Sequence, residues 1–280
     1  VRAWLAGNRI GAVLMMAALA ALAGCGGPGP IKGRLAAPRD LEAADYRADG
    51  IPGSFGDTSP IDWGPMAPDR YPVHGIDASR FQGRIDWSRA RAAGVSFAWL
   101  KATEGGDRVD PGIEANMGAA RAAGVAVGLY HFYYFCRTAR EQAEWFIAHA
   151  PRHPGDLPPV LDMEWNHASR TCPRRPSPAR VKADIRTFSA LVTRHFGTAP
   201  VIYTTPDFYA DNDLGSLNTA DIWLRSVAAH PSEIYPDERW TFWQYSGTGV
   251  VPGVGGVVDL DTFAGSAGDW VTWLLRRRQP

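Results

Sequence analysis

Lysine is nearly absent from this chain: only Lys32, Lys101 and Lys182 occur in 280 residues, and arginine carries the rest of the positive charge. The 29 basic and 29 acidic residues cancel, so there is no one-signed field of the kind that draws a protein to nucleic acid or to an acidic polymer. Cysteine is equally scarce, at three residues. No histidine stands at zinc-ligand spacing from Cys136 or Cys172, and no other ligand cluster suggests a metal. A glycine-rich loop after the first apolar strand is also missing, which speaks against a doubly wound nucleotide-binding sheet and leaves no expected cofactor. Finally, the charge-free run from Ile10 to Ala23 is 14 residues long, short of the roughly 20 needed for a permanent membrane span.

That run follows two arginines and reads as the core of an export signal over residues 1–24. It closes on Leu22-Ala23-Gly24-Cys25, a tetrapeptide that resembles the bacterial lipobox, whose cysteine becomes the lipidated first residue of the mature chain. An ordinary cleavage site with a chance cysteine is the competing reading. Lipidated Cys25 implies a membrane partner held by several acyl chains, and Gly26 rather than Asp fits the outer membrane of a Gram-negative cell. Residues 25–72, rich in Pro, Gly, Ala and charge without a sustained period, are expected to form a tether. The remaining residues, 73–280, suffice for one sizeable core, a single domain expected to act as a monomer. With Cys25 set aside, Cys136 and Cys172 are an even pair in an exported chain, and a disulfide is expected.

What the chain does contain is a rhythm. Ala90-Arg91-Ala92-Ala93-Gly94-Val95 and Ala120-Arg121-Ala122-Ala123-Gly124-Val125 are nearly identical and thirty residues apart, the spacing of one βα unit. Each predicts a helix ending at a glycine C-cap and then an apolar strand. Asp86 and Asp110-Pro111 supply the expected helix starts. Helices are predicted over residues 138–148 and 178–195, strands around Val160-Leu161-Asp162-Met163-Glu164-Trp165 and Val201-Ile202-Tyr203-Thr204. Later strands, at Asp221 to Arg225, Trp240 to Tyr245 and Val257 to Asp261, follow without long helices between them. The pattern predicts an α/β barrel with an irregular closing section, its chemistry at the C-terminal strand ends. Acids gather there: Asp77, Glu104, Asp162, Glu164 and Asp259.

Asp162 and Glu164 are two residues apart on a strand and therefore share a face. Such a pair suits acid–base work on a glycosidic bond, and also suits a strand end whose acids cap a helix or meet an arginine. Eleven tryptophans add stacking surface for sugars, although most tryptophans serve the core.

In order along the chain stand Gly75-Ile76-Asp77-Ala78-Ser79 with Phe81-Gln82-Gly83, then Phe97 to Gly105, Gly128-Leu129-Tyr130-His131-Phe132, Leu161-Asp162-Met163-Glu164, Val201-Ile202-Tyr203-Thr204, Trp243-Gln244-Tyr245 and Val258-Asp259-Leu260. This ordered set resembles the glycoside hydrolase family 25 lysozymes, over about residues 73–263. The resemblance implies an irregular TIM-like (β/α)5(β)3 barrel that cleaves β-1,4 bonds between N-acetylmuramic acid and N-acetylglucosamine in peptidoglycan. It further implies Glu164 as general acid, with Asp77, Asp162 and Asp259 as the acids around it. Tyr130, Tyr203, Trp243 and Gln244 fall on substrate-cleft positions. Asp261 is a less certain member of the acid set, and His131 is expected to be a packed residue. Lys101 and Glu104 fit either a rim ion pair or sugar ligands. Ala78 and Arg108 depart from the family pattern, at positions that touch packing and the cleft rim.

Because Asp162 and Glu164 lie on the same side of the bond, Asp162 is poorly placed to attack the opposite face. Participation of the substrate's 2-acetamido oxygen, with Asp162 polarising the amide, is the favoured route, and direct activation of water is the alternative. A wall-binding lipoprotein without turnover and a chitinase-like enzyme are the competing functions.

Overall fold

Each strand of the barrel is short and apolar, and each early helix is stopped by a residue suited to stop it. The computed structural model describes residues 50–280 except Ala168; the export signal, Cys25 and the first part of the expected tether lie outside the described residues. The chain enters through β1 (Gly56–Asp57) and β2 (His74–Ala78). Helix α1 (Trp87–Ala92) starts where Asp86 accepts a hydrogen bond from the Arg89 amide. Strand β3 (Phe97–Glu104) carries a small hairpin partner, β4 (Arg108–Val109). Then come α2 (Ile113–Ala122), β5 (Ala126–Phe132), α3 (Ala139–His149), β6 (Val160–Met163) and α4 (Pro178–Phe196). The last part comprises β7 (Val201–Thr204), α5 (Pro206–Asn212), β8 (Ile222–Arg225), α6 (Pro231–Ile234), β9 (Phe242–Val250), β10 (Val258–Phe263) and α7 (Ala267–Arg277).

The two repeated segments end as their glycines require: Gly94 and Gly124 take φ of 115° and 79°, a region that costs a side chain strain and glycine almost none. One expected start shifts. Asp110 does not cap α2, whose N-cap is Gly112; its carboxylate instead accepts the amides of Arg80 and Gly112 and ties the rim after β2 to the rim after β3.

Strands β2, β3, β5, β6, β7, β8, β9 and β10 hydrogen-bond in a closed ring of eight. Neighbours are parallel from β2 round to β9, and β10 runs antiparallel to both β9 and β2. Inside, Phe97, Trp99, Trp223 and Phe242 fill the lower barrel, and Trp270 and Trp273 of α7 close it from below. Gly75 admits this packing, since a Cβ there would stand 2.5 Å from the Phe97 ring. Outside, α1 to α4 cover β2 to β7 with a second apolar layer.

Among the described residues no helix covers the outer face of strands β9 and β10, and here the structure corrects the sequence reading. Residues 50–72, expected to belong to a free tether, pack on that face instead. Strand β1 pairs with β9 at Gly56↔Val250 and Asp57↔Gly249, and Asp57 accepts from the Thr248 hydroxyl at 2.6 Å. Trp63 meets Trp243 edge-on at 5.1 Å, and Tyr71 meets Trp240 at 5.4 Å. The segment has no helical or strand period because it follows the contour of an exposed apolar surface, which an open barrel wall could not leave in water.

Candidate active site

The strand pleat decides which residues reach the barrel mouth. Along β6 and just past its end, Val160, Asp162 and Glu164 line a cleft of about 280 Å³, while Leu161, Met163 and Trp165 join the helix-side core. The same alternation delivers Asp77 from β2, Lys101 from β3, Tyr130 from β5, Tyr203 from β7, Trp223 and Arg225 from β8, Gln244 from β9 and Asp259 from β10. Every strand of the ring thus contributes a side chain to one cavity. The loop after β2 adds Ser79, Phe81 and Gln82. Ser79 and Gln82 are explained locally: they form a capping box, and Gln82 donates to the Val257 carbonyl at 3.0 Å, fastening that loop to β10.

A hydrogen-bonded chain crosses the floor. The Tyr203 hydroxyl donates to Gln244 Oε1 at 2.8 Å, and Gln244 Nε2 donates to Asp77 Oδ2 at 2.7 Å. Beneath it, Trp223 Nε1 donates to Asp261 Oδ1 at 3.0 Å. Asp162 Oδ1 and Asp261 Oδ2 are both buried without a hydrogen-bond partner among the described residues.

Burial raises the pKa of every acid in the group, because the charged form loses its hydration. Glu164 is lifted to about 7 by burial, with Asp207 and Asp259 adding repulsion and Arg225 and Lys101 holding it back. Asp259 rises to about 6, again by burial and again restrained by Arg225. Asp77 and Asp162 lie well above the usual carboxylate range; Asp259 is the main acidic neighbour of the first and Glu164 of the second. Asp261 is also pushed up, by burial and by Asp77 beside it. Glu164 and Asp259 are thus carried toward neutral pH, where a carboxyl can hold or release a proton.

Most of the residues singled out from the sequence converge here, and two do not. Trp243 points away from the cleft: it is fully buried on the outer side, donates to the Ser226 carbonyl at 2.7 Å and packs on Trp63. Its neighbour Gln244 faces in, so alternation assigns the two side chains to opposite faces. Glu104 is taken up by an ion pair with Lys101 at 2.9 Å, with Arg80 and Arg108 each at 3.8 Å. Lys101 still lines the cleft and lies over the Phe132 ring at 4.8 Å. His131 is buried between Thr103, Gln142 and the face of Phe188. Cys136 and Cys172 form a disulfide with Cα atoms 5.7 Å apart.

Arg225 and Trp223 are site residues that sequence reasoning passed over. Both sit on a strand recognised as such, and period two from Trp223 to Arg225 was the available signal.

Comparison with known proteins agrees with this geometry. Residues 76–254 match the model of glycosyl hydrolases family 25. Lysozyme M1 of Streptomyces globisporus is 38% identical over 207 residues, covering 70% of this chain and 69% of that protein. A family 25 glycosyl hydrolase from Bacillus anthracis superposes with a TM-score of 0.69 at 31% identity, covering 77% of this chain and 98% of that one. The bacterial lysozyme from Streptomyces coelicolor gives a TM-score of 0.65 at 35% identity, over 73% and 97% of the two chains. An eight-stranded barrel with buried acids at its mouth, matched in sequence and in shape, places the chain in glycosyl hydrolase family 25.

Proposed function

We propose that the protein is a muramidase that hydrolyses the β-1,4 bond between N-acetylmuramic acid and N-acetylglucosamine in peptidoglycan, on a barrel of the (β/α)5(β)3 kind. The observation that carries this reading is the pairing of Glu164 and Asp162 in one cleft. Glu164, with a pKa near 7, keeps a proton at neutral pH and gives it to the leaving glycosidic oxygen. Asp162 lines the same cleft beside Glu164, placed to accept from the N–H of the substrate's 2-acetamido group. Holding that N–H raises the electron density on the acetamido oxygen, which attacks the anomeric carbon as the leaving bond breaks and forms a cyclic intermediate. Glu164, now ionised and facing Arg225 and Lys101, takes a proton from the water that opens this intermediate. Asp77, fixed by Gln244 at 2.7 Å, and Asp259 orient groups across the cleft, while Tyr130 and Tyr203 form its walls.

The export signal and lipobox at residues 1–25 support a periplasmic enzyme anchored to the outer membrane through Cys25. Clearing of purified cell walls tests the assignment: Glu164→Gln is expected to abolish clearing with the fold intact, and retained clearing removes Glu164 as the acid. NMR of the first product tests the route. A retained anomer is expected, and an inverted one rules out acetamido participation.

A further inference from the structure

A second recess, about 180 Å³, adjoins the cleft and is used by no step above. The two share a wall: Phe132 lines the cleft, Tyr134 lines the recess, and their rings meet at 5.5 Å. The recess also begins at Trp165 and Asn166, directly after the proposed acid Glu164.

Its frame is rigid. The Cys136–Cys172 disulfide joins the loops after β5 and β6. The Trp165 ring meets Phe135 at a tilt, 5.2 Å between centroids, and its Nε1 donates to Asp211 Oδ2 at 2.8 Å. The Arg175 guanidinium lies over the Trp165 ring at 5.0 Å and donates to His167 Nδ1 at 2.9 Å. His167 Nε2 in turn meets Asp207 at 3.0 Å. Arg174 lines the recess, is exposed, and has no ion pair among the described residues. A guanidinium offered beside aromatic walls fits a ligand with carboxylates on a partly apolar backbone. It does not fit a bare neutral sugar.

We infer that this recess binds the carboxylate-bearing peptide branch that muramic acid carries in peptidoglycan, with Arg174 as the principal charge contact. The inference rests on the muramidase reading, since it requires the sugar chain to lie in the neighbouring cleft. Branch binding here holds the muramic acid unit beside Glu164 and favours peptide-bearing strands over stripped ones.

The test uses the Glu164→Gln protein and titration calorimetry. A soluble glycan fragment carrying its peptide is compared with the same fragment stripped of peptide by an amidase. The branched fragment is expected to bind roughly three- to ten-fold tighter, the size of one or two exposed charge-assisted contacts. Arg174→Glu in that background is expected to erase the difference, and Arg174→Lys to keep part of it. Arg174 is exposed, so these variants do not threaten the fold, and a melting curve checks it. Equal affinity for the two fragments, or a preference that survives Arg174→Glu, overturns the subsite alone. Failure of both fragments to bind contradicts the muramidase reading, and the subsite falls with it.

Discussion

Asp77 and Asp259 stand directly opposite each other across the antiparallel seam between β2 and β10, and both side chains face the cleft. Like charges in directly opposed positions destabilise a sheet, and here burial makes the conflict larger. The pair is relieved when one carboxyl keeps its proton: burial and then Asp259 raise the pKa of Asp77, while Asp259 is raised by burial and restrained by Arg225. Asp259→Asn is therefore expected to lower the pKa of Asp77 and to stabilise the fold at neutral pH while reducing turnover. Carboxyl titration by NMR and a thermal melt read the two effects.

The pH–rate profile follows from Glu164. As the proton donor it must be protonated, so activity is expected to fall as pH rises through about 7. Arg225 holds that value down. Arg225→Met removes the restraint and is expected to move the alkaline limb upward, at a cost in turnover. An unmoved limb separates the limb from Glu164.

Stability follows activity at this residue: both fall as pH rises through about 7. A carboxyl whose folded pKa is raised stabilises the fold below its unfolded pKa, near 4.5, and that contribution is lost as pH rises through about 7. Glu164→Gln has no such loss. It is expected to be more stable than the parent at pH 8, by about 1–3 kcal/mol, and little different at pH 4. Denaturant midpoints at the two pH values measure this.

Gln244 links Tyr203 to Asp77, so Gln244→Leu leaves a buried hydroxyl and a buried carboxyl each short of a partner. Loss of the fixed Asp77 orientation is expected to lower kcat roughly ten- to hundred-fold. Trp243, although next in sequence, lies outside the cleft; Trp243→Phe is expected to change stability more than KM.

The segment before the family match is part of the domain. Trp63→Ala removes the edge contact on Trp243 and is expected to cost about 1–3 kcal/mol, less than for a fully buried tryptophan. The disulfide closes a sequence separation of 36 residues, and replacing both cysteines by serine is expected to cost about 3–4 kcal/mol on the chain-entropy account.

The barrel was legible because its repeated units carry their own punctuation. Gly94 and Gly124 marked helix ends, Pro178 marked a start, and the alternation through Val160 to Trp165 correctly separated cleft from core. The acids were legible because strand ends concentrate them. Trp243 misled because a motif shows which residues are adjacent in sequence, whereas the pleat sends neighbours to opposite faces. Arg225 was missed because period two places it on the same face as Trp223 without saying that this face lines the cleft; its role depends on Glu164 and Asp259, which reach it only through the closed ring. Residues 50–72 were read as tether because a strap packed on a curved wall has no period of its own, and its partner surface, the uncovered side of β9 and β10, exists only after the barrel closes.

The central claim, that Glu164 drives cleavage at muramic acid, is tested most directly by digesting purified peptidoglycan, reducing the new ends with borohydride and identifying them by mass spectrometry. The account predicts reduced muramic acid ends from the parent enzyme and none from Glu164→Gln. Reduced N-acetylglucosamine ends, or muramic acid ends that persist in Glu164→Gln, would contradict it.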